Sequence, residues 1–322
     1  MAFGAAKGCG TVEDLHRVLT AVVDNVERMI VGKRRQVELA VTAMAGSGHV
    51  LIEDIPGVGK TSLVYALARS VACGFRRIQF TPDTMPSDIT GFSVFNPKTG
   101  EFAFQPGAVM SNFILADEIN RATPKTQASL LEIMEESQVT VDSHTYRLEQ
   151  PFMVLATQNP VEYLGTYPLP EAQIDRFSLR ISMGYPGREE EIRILPMDRE
   201  ARQSLGPVAA PEDILAARRA AAEVRVADAL RGYIVDIAAA TRSHPDVELG
   251  ASPRGSIALY RMSQAFALLK GRDFVTPDDI KFLAPYVLAH RLILRSDAKI
   301  AGRTAENIVA GILGQTPVPV LP

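Results

Sequence analysis

The sequence predicts an α/β domain followed by an all-α domain. Up to about residue 183, helical stretches alternate with short apolar runs, and from about residue 185 onward nearly every segment has the pattern of a helix. Such alternation is typical of a parallel sheet covered by helices, and the change of pattern indicates a second domain. We expect a flexible end at residues 1–10, an α/β core at 11–186 and a helical domain at 187–322.

The α/β half begins with a helix and then supplies five candidate strands. Thr11 and Asp14 have the spacing of a capping box at the start of the helix. Short apolar runs separated by helices are what a buried parallel sheet requires. The predicted strands are 49–53, 77–81, 112–116, 152–157 and 177–181.

Two further segments of this half have the pattern of β-hairpins. Residues 91–104 surround a turn-rich tip, and residues 138–148 alternate around a short polar turn. Neither hairpin is needed to complete the sheet. Hairpins added to such a domain are candidate contact elements.

The second half is predicted to be helical throughout. A strong helix start lies at Thr276, where a cap residue precedes a proline and two acids. The tail at 316–320 is rich in proline and predicts a loose end. The predicted helices are 211–224, 229–240, 253–270, 277–294 and 304–313.

Composition favours a soluble cytoplasmic protein that does not bind nucleic acid. The 322 residues carry a net charge of -3, which gives no electrostatic footprint for a phosphate backbone. No run reaches the roughly 18 apolar residues of a membrane helix, and the start has no apolar segment of a secretory signal. Cys9 and Cys73 are too few for a disulfide framework, which is typical of a reducing compartment.

The clearest motif is a phosphate-binding loop between the first strand and a helix. The run Pro56-Gly57-Val58-Gly59-Lys60-Thr61 has the glycines that let backbone N–H groups turn toward phosphates. The helix expected from Ser62 to Val71 adds a positive field at its start. Lys60 is expected to reach the β- and γ-phosphates, and the Thr61 hydroxyl to bind Mg²⁺. The predicted nucleotide-binding residues are Gly57, Val58, Gly59, Lys60, Thr61 and Ser62.

One position departs from the strict form of this motif. Position 54, where a glycine is usual, holds Asp54. Aspartate adopts left-handed backbone angles less easily than glycine, and its charge would lie near a polyphosphate. The sequence alone therefore predicts weakened nucleotide binding.

Two acids follow the third predicted strand directly. Asp117 and Glu118 stand at the carboxyl end of that strand, where open α/β sheets bind ligands. We expect Asp117 to hold Mg²⁺ through the water shell of the ion and Glu118 to polarise the attacking water. Acids also begin many helices, so the assignment depends on the phosphate loop that precedes them.

Three polar residues are candidates for sensing the terminal phosphate. Asn159 follows the fourth strand, Arg176 precedes the fifth, and Arg254 begins a helix of the second domain. An amide can orient water, and a guanidinium can neutralise charge that develops on a phosphate. From the residues alone, an Asn-Pro turn at Asn159 and surface ion pairs at the two arginines are the favoured interpretations.

Taken together, these residues resemble the AAA+ ATPases, and specifically the MoxR family, over nearly the whole chain. The resemblance implies a five-stranded parallel sheet of order 5-1-4-3-2, a helical lid, an insert in the second helix and a hairpin before the fourth strand. The stretches that carry it are Ile30-Val31-Gly32, Pro56 to Thr61, Asn96 to Phe102, Leu115 to Ala122, Ala156 to Pro160, Glu171 to Phe177 and Ser252-Pro253-Arg254.

The resemblance also implies roles for particular residues. Ile30, Val31 and Gly32 would line the adenine pocket. Asn159 resembles the first sensor, Arg254 the second sensor on the lid, and Arg176 the arginine finger that completes a neighbouring subunit's site. Such a finger requires a ring, usually a homo-hexamer. Gln79 or Thr81 is the candidate that couples the nucleotide state to Glu118.

The implied activity is hydrolysis of ATP, with Mg²⁺, by a chaperone-like ATPase that remodels client proteins. Relatives often act with a partner that carries a von Willebrand factor A domain, and some help to insert metal cofactors. A DNA or RNA motor is an alternative, although the second hairpin lacks a row of basic residues. A second alternative is an ATP-gated binding module that hydrolyses ATP only slowly because of Asp54.

Overall fold

The computed structural model describes residues 10–159, 165–196 and 205–320. Most of the expected flexible end, residues 1–9, lies outside these ranges, as does Cys9. The strands are β1 (Val50–Glu53), β2 (Phe75–Gln79), β3 (Gly91–Asn96), β4 (Glu101–Pro106), β5 (Phe113–Asp117), β6 (Gln138–Val141), β7 (His144–Arg147), β8 (Met153–Gln158), β9 (Leu179–Ile181), β10 (Val247–Leu249) and β11 (Ile293–Leu294).

The helices lie mostly where apolar periodicity places them. They are α1 (Val12–Glu27), α2 (Arg34–Ala45), α3 (Lys60–Ser70), α4 (Pro86–Thr90), α5 (Pro124–Glu136), α6 (Glu171–Ile174), α7 (Arg188–Ile194), α8 (Pro211–Glu223), α9 (Asp228–Ser243), α10 (Pro253–Leu269), α11 (Pro277–Leu288), α12 (Ser296–Ile300) and α13 (Ala305–Gln315). None of the described helices combines the length and the apolar character that crossing a membrane needs.

The central sheet is parallel and has the order β2-β5-β8-β1-β9. Numbered along the chain, its five strands have the order 5-1-4-3-2, so the topology that the resemblance implied is confirmed. The second strand starts and ends two residues earlier than predicted, at 75–79 rather than 77–81. Because all strands are parallel, the loops after β1, β5 and β8 meet at one edge of the sheet.

Apolar side chains cover both faces of this sheet. Val50 and Ile52 of β1 belong to one buried cluster, and Leu51 between them belongs to another, as the alternation of a strand requires. The first cluster also contains α1, α2 and α3 together with α8, α10 and α11. The helical half therefore shares one core with the α/β half.

Both predicted hairpins are present as separate two-stranded sheets, β3–β4 and β6–β7. The ring of Phe104 stacks on that of Tyr146 with centroids 4.0 Å apart, so the hairpins contact each other. At the tip of the first hairpin, Phe95 and Phe102 pair at 5.3 Å, with relative exposures of 51 % and 72 %. The outer end of this hairpin is an exposed aromatic surface.

The predicted helix at 277–294 is too long. Helix α11 ends at Leu288, a 3₁₀ turn follows, and Ile293-Leu294 then forms β11, which pairs antiparallel with β10. A short apolar run does not distinguish a helix from a strand, and here the pairing with β10 decides the outcome.

Candidate nucleotide-binding site

The loop after β1 forms an open cradle at the start of α3. Gly57 and Gly59 have φ angles of 87° and 91°, and a Cβ atom at either position would meet nothing within 4 Å. These left-handed angles need glycine, whereas the space in front of the loop is free for a ligand. Helix α3 begins at Lys60 and directs its unpaired N–H groups toward this space.

Lys60 lies at the centre of the site. Its Nζ donates to the backbone oxygen of Asp54 at 2.8 Å. Burial lowers the pKa of Lys60, and the charges of Asp117, Asp54 and Glu118 oppose this shift. The lysine therefore lies within electrostatic reach of both acids that follow β5, as one shared pocket requires.

The carboxylate of Asp54 is held by the segment that follows β9 and by the next residue of the loop. Oδ2 accepts from Gly184 N at 2.7 Å and from Ser182 Oγ at 3.0 Å, while Oδ1 accepts from Ile55 N at 2.9 Å. Its backbone is not left-handed. The departure from glycine thus stabilises the segment after β9. The first reason for expecting weakened binding, a left-handed backbone, does not apply, whereas the charge of Asp54 still acts on Lys60.

The two acids are held by Thr157 of β8, which motif reasoning missed. Its Oγ1 donates to Asp117 Oδ1 at 2.6 Å and accepts from Glu118 N at 2.9 Å. Glu118 itself has φ 57° and ψ 48°, a left-handed conformation that costs energy for a residue with a Cβ atom. Backbone strain of this kind is concentrated at functional sites. The sequence signal that could have identified Thr157 is a hydroxyl residue near the end of the strand next to β5.

Side chains from β2 and from the turn after β5 complete the network around the acids. Gln79 Nε2 donates to Glu118 Oε2 at 2.8 Å, whereas Thr81 bonds to Thr84 instead. Of the two candidates for coupling to Glu118, the structure brings only Gln79 to it. Arg121 Nε lies 3.1 Å from the same Glu118 oxygen. Arg77, also missed from sequence, donates to Asp117.

Asn159 lies directly beyond β8 and is buried, with a relative exposure of 8 %. Because β8 lies between β5 and β1, Asn159 shares the sheet edge with the acids and the phosphate loop. Pro160, which follows it in the motif, lies outside the described residues.

A cavity of about 390 Å³ adjoins the cradle. Ile30 and Val31 line it as implied, together with Val58 and Ser62, whereas Gly32 does not. A Cβ atom on Gly32 would lie 1.8 Å from the Glu190 carboxylate, so this glycine makes room for α7 instead. Several other lining residues were not identified from the sequence, because no motif marks them. They include Met29, Lys33, Tyr185, Pro186 and Ile194.

Arg176 and Arg254 lie together, but at the other edge of the sheet. Arg176 precedes β9, at the amino end of the strands, and the cradle follows β1 at the carboxyl end. The four residues of β1 alone separate these edges by about 13 Å. Arg176 Nη1 lies 2.7 Å from Glu135 Oε2, and Arg254 Nη2 lies 2.9 Å from Glu135 Oε1.

These arginines line a second cavity of about 270 Å³ that includes no residue of the phosphate loop. Two cations thus share one carboxylate at a surface remote from the chain's own cradle.

The residues of the cradle fit ATP and Mg²⁺. Left-handed glycines, a lysine and a helix start form a phosphate site. The Thr61 hydroxyl and the Asp117 carboxylate are oxygen ligands of the kind that Mg²⁺ prefers. Within the described residues no three His, Cys, Asp or Glu side chains group as a metal site. Mg²⁺ typically takes few protein ligands and completes its shell with phosphates and water, which matches this donor set.

Comparison with known proteins identifies the class. The profile of the ATPase family associated with various cellular activities (AAA) matches residues 49–179, and that of the AAA lid domain matches residues 239–312. The fold, the phosphate loop and these matches define an AAA ATPase.

Similar proteins identify the family within that class. The chain is 54 % identical over 310 residues to YeaC of Bacillus subtilis, covering 96 % of this chain and 97 % of that protein. It is 40 % identical over 316 residues to the chaperone MoxR1 of Mycobacterium tuberculosis, covering 95 % and 83 %. It is also 32 % identical over 295 residues to protein MoxR of Methylorubrum extorquens, covering 84 % and 85 %. The chain belongs to the MoxR family of AAA ATPases.

Solved structures agree with this fold. The crystal structure of a Cytophaga hutchinsonii protein superposes with a TM-score of 0.88 at 38 % identity, covering 95 % of this chain and 96 % of that chain. An MCM homologue from Methanopyrus kandleri has a TM-score of 0.59 at 16 % identity and covers 97 % and 63 %. The second likeness concerns the fold alone.

Proposed function

We propose that this chain hydrolyses ATP to ADP and phosphate, with Mg²⁺, at the cradle after β1. The observation that carries the proposal is that the loop with Lys60 after β1 and the acids after β5 lie at the same edge of one parallel sheet. The charges of both acids act on Lys60, which supports it. Lys60 would bind the terminal phosphates, and Thr61 and Asp117 would hold Mg²⁺, which supplies positive charge to the phosphate oxygens. Ile30 and Val31 would contact the adenine.

Glu118 is the group that we assign to the attacking water. Its Oε2 accepts a hydrogen bond from Gln79 and forms an ion pair with Arg121, and the two contacts fix the carboxylate in one position. Asn159, at the end of the adjacent strand, supplies a neutral amide near the same place. A positioned carboxylate beside a phosphate cradle supports general-base assistance to hydrolysis.

Arg176 and Arg254 support a ring of identical subunits. Both lie at the edge remote from their own cradle, which supports action of each on the nucleotide of a neighbour. Closed rings follow when one surface of a subunit meets a different surface of the next. We propose a homo-hexamer in which these arginines complete the adjoining site.

The cellular role that we propose is chaperone-like remodelling of client proteins in the cytoplasm. Its support is the relative named as a chaperone and the exposed aromatic tip of the β3–β4 hairpin, which offers a client contact. A partner with a von Willebrand factor A domain belongs to the same proposal. No nucleic-acid partner is proposed, because net charge and hairpin composition give no basic surface.

Two variants test the catalytic assignment. Lys60→Ala is expected to lose binding of a fluorescent ATP analogue, and tight binding by this variant would refute the cradle. Glu118→Gln is expected to bind the analogue normally while phosphate release falls at least about 100-fold, the usual contribution of a general base. Normal turnover by Glu118→Gln would remove this residue from its role. Wild-type protein that binds ATP without releasing phosphate would indicate a binding module instead.

A further inference from the structure

Arg77 stands in the middle of β2, on the same face as the acids of the site. In the parallel register Arg77 pairs with Leu115, and Gln79 pairs with Asp117. Residues two apart on a strand share a face, so Arg77 and Gln79 both point to the side of Asp117. Arg76 directly precedes Arg77 on the strand and therefore points to the other side.

The guanidinium of Arg77 occupies one oxygen of Asp117. Its Nε and Nη2 donate to Oδ2 at 3.0 and 2.6 Å. The other oxygen, Oδ1, already accepts from Thr157 at 2.6 Å. Each oxygen of the proposed metal-binding carboxylate therefore already accepts from the protein itself.

Arg77 is also connected to the second acid through Gln79. Its Nη2 donates to Gln79 Oε1, and Gln79 Nε2 donates to Glu118 Oε2 at 2.8 Å. An amide that donates with one end and accepts with the other is fixed in orientation by both contacts. Arg77 thus orients the donor that engages Glu118.

We propose that Arg77 is an internal counter-ion that competes with Mg²⁺ for Asp117; this inference rests on the proposed ATP site. Arginine keeps its charge at all physiological pH values, so a guanidinium and a divalent cation repel each other at one carboxylate oxygen. Arg77 is the residue that yields, because its side chain is 48 % exposed and that of Asp117 only 13 %. Exposed ion pairs are weak and easily exchanged for water.

Departure of Arg77 from Asp117 has a consequence for Glu118. The donor to Gln79 Oε1 is removed, so the Gln79 amide loses one of the two contacts that orient it. Glu118 then keeps its ion pair with Arg121, and only the hold of Gln79 on its Oε2 is loosened when the counter-ion on Asp117 is exchanged. Arg77 would in this way link metal loading to the readiness of the general base.

The test compares Arg77→Ala with Arg76→Ala, a matched loss of charge one residue away on the opposite face. Binding of N-methylanthraniloyl-ADP to the full-length protein is followed while Mg²⁺ is added to a metal-free sample. Arg77→Ala is expected to lower the half-saturating Mg²⁺ concentration about three-fold, as expected for loss of a partly exposed ion pair. Arg76→Ala should leave it unchanged, and Arg77→Lys should give a smaller decrease than Arg77→Ala.

A second readout comes from the same samples without Mg²⁺. Arg77→Ala is expected to weaken metal-free binding of the analogue, because the phosphates then meet Asp117 without its counter-ion. A half-saturating Mg²⁺ concentration that stays the same or rises in Arg77→Ala would overturn this inference while leaving the ATP site intact. Absence of nucleotide binding in the wild-type protein would instead overturn the proposed function.

Discussion

At the scale of single residues, Asp54 departs from the phosphate-loop motif and has a structural role of its own. Its carboxylate accepts from Ile55, Ser182 and Gly184. The last contact positions the segment in which Gly184, Tyr185 and Pro186 line the nucleotide cavity. The residue that departs from the phosphate-loop motif therefore connects this loop with the segment on the opposite side of the cavity.

Restoring the usual glycine is therefore expected to harm the protein. Asp54→Gly removes the acceptor of the half-buried Gly184 N–H, and the net loss of such a hydrogen bond costs about 0.5–1.5 kcal/mol. Unfolding in urea should show this loss, and a fluorescent ADP analogue should bind more weakly. Asp54→Asn, which retains an acceptor oxygen, serves as the control. Tighter binding by Asp54→Gly would mean that the carboxylate does repel phosphate.

At the scale of elements, His49 connects two strands with the end of a helix. Its Nε2 donates to Met134 O of α5 at 3.0 Å, and its Nδ1 accepts from Val154 N of β8 at 3.0 Å. Burial lowers the pKa of His49 to about 4, with Arg218 as a further cause. Since Glu135 follows Met134, His49 also fixes the helix turn that presents the shared carboxylate to the arginines.

Stability is expected to fall in acid because of this histidine. The folded pKa of about 4 lies below the ordinary value of about 6.5, so the unfolded chain binds the proton first. The free energy of unfolding should therefore decrease as the pH falls from about 6.5 toward 4, by on the order of 1–3 kcal/mol. Urea unfolding at several pH values measures it. His49→Gln should flatten this part of the profile, and an equally steep profile in the variant would exclude His49 as the cause.

At the scale of the whole molecule, the helical half holds the loop that carries Arg176. Arg291 Nε donates to Asp175 Oδ1 at 2.7 Å, and its Nη2 donates to Phe177 O at 2.8 Å. Ser252, the cap of α10, donates to Asp175 Oδ2 at 2.7 Å. The two proposed phosphate-sensing arginines thus belong to one connected unit built from both halves.

Breaking this connection should be costly. Arg291 has a relative exposure of 8 %. Its replacement by alanine leaves Asp175 largely buried and deprived of its cation. Loss of one partner of a buried ion pair costs about 3–5 kcal/mol. Arg261→Ala is the control. It removes an exposed arginine from the cavity that Arg176 and Arg254 line, and it should change the free energy of unfolding by less than about 0.5 kcal/mol. Urea unfolding compares the two variants, and equal effects would contradict this account.

Mixed rings test whether both arginines act on a neighbour. Arg176→Ala and Arg254→Ala should each be inactive alone and regain phosphate release when mixed with Lys60→Ala, which retains both arginines. A mixture of Arg176→Ala with Arg254→Ala should stay inactive, because no neighbour then supplies both groups to an intact site. Recovery in that last mixture would place Arg254 on its own subunit's nucleotide.

Much of this architecture was predictable from sequence, and the exceptions have physical causes. Short apolar runs and the glycine loop depend on local pattern, so the sheet and the cradle were foreseen. The short helices α4, α6, α7 and α12 have too few turns to show periodicity. Arg77 and Thr157 reach the acids only through strand pairing, which a sequence does not display. For the same reason, the shared position of Arg176 and Arg254 at Glu135 became visible only in three dimensions.

The common core of the two halves bears on how the protein can be dissected. Helices α1 and α2 bury apolar side chains against α8 and α10, which lie far along the chain. A fragment that ends at residue 186 would expose the apolar surface of α1 and α2 that α8 and α10 cover in the whole protein. Such a truncated piece should aggregate during expression rather than serve as a minimal ATPase. The two halves, expressed as separate chains, should be soluble only when they are co-expressed and associate.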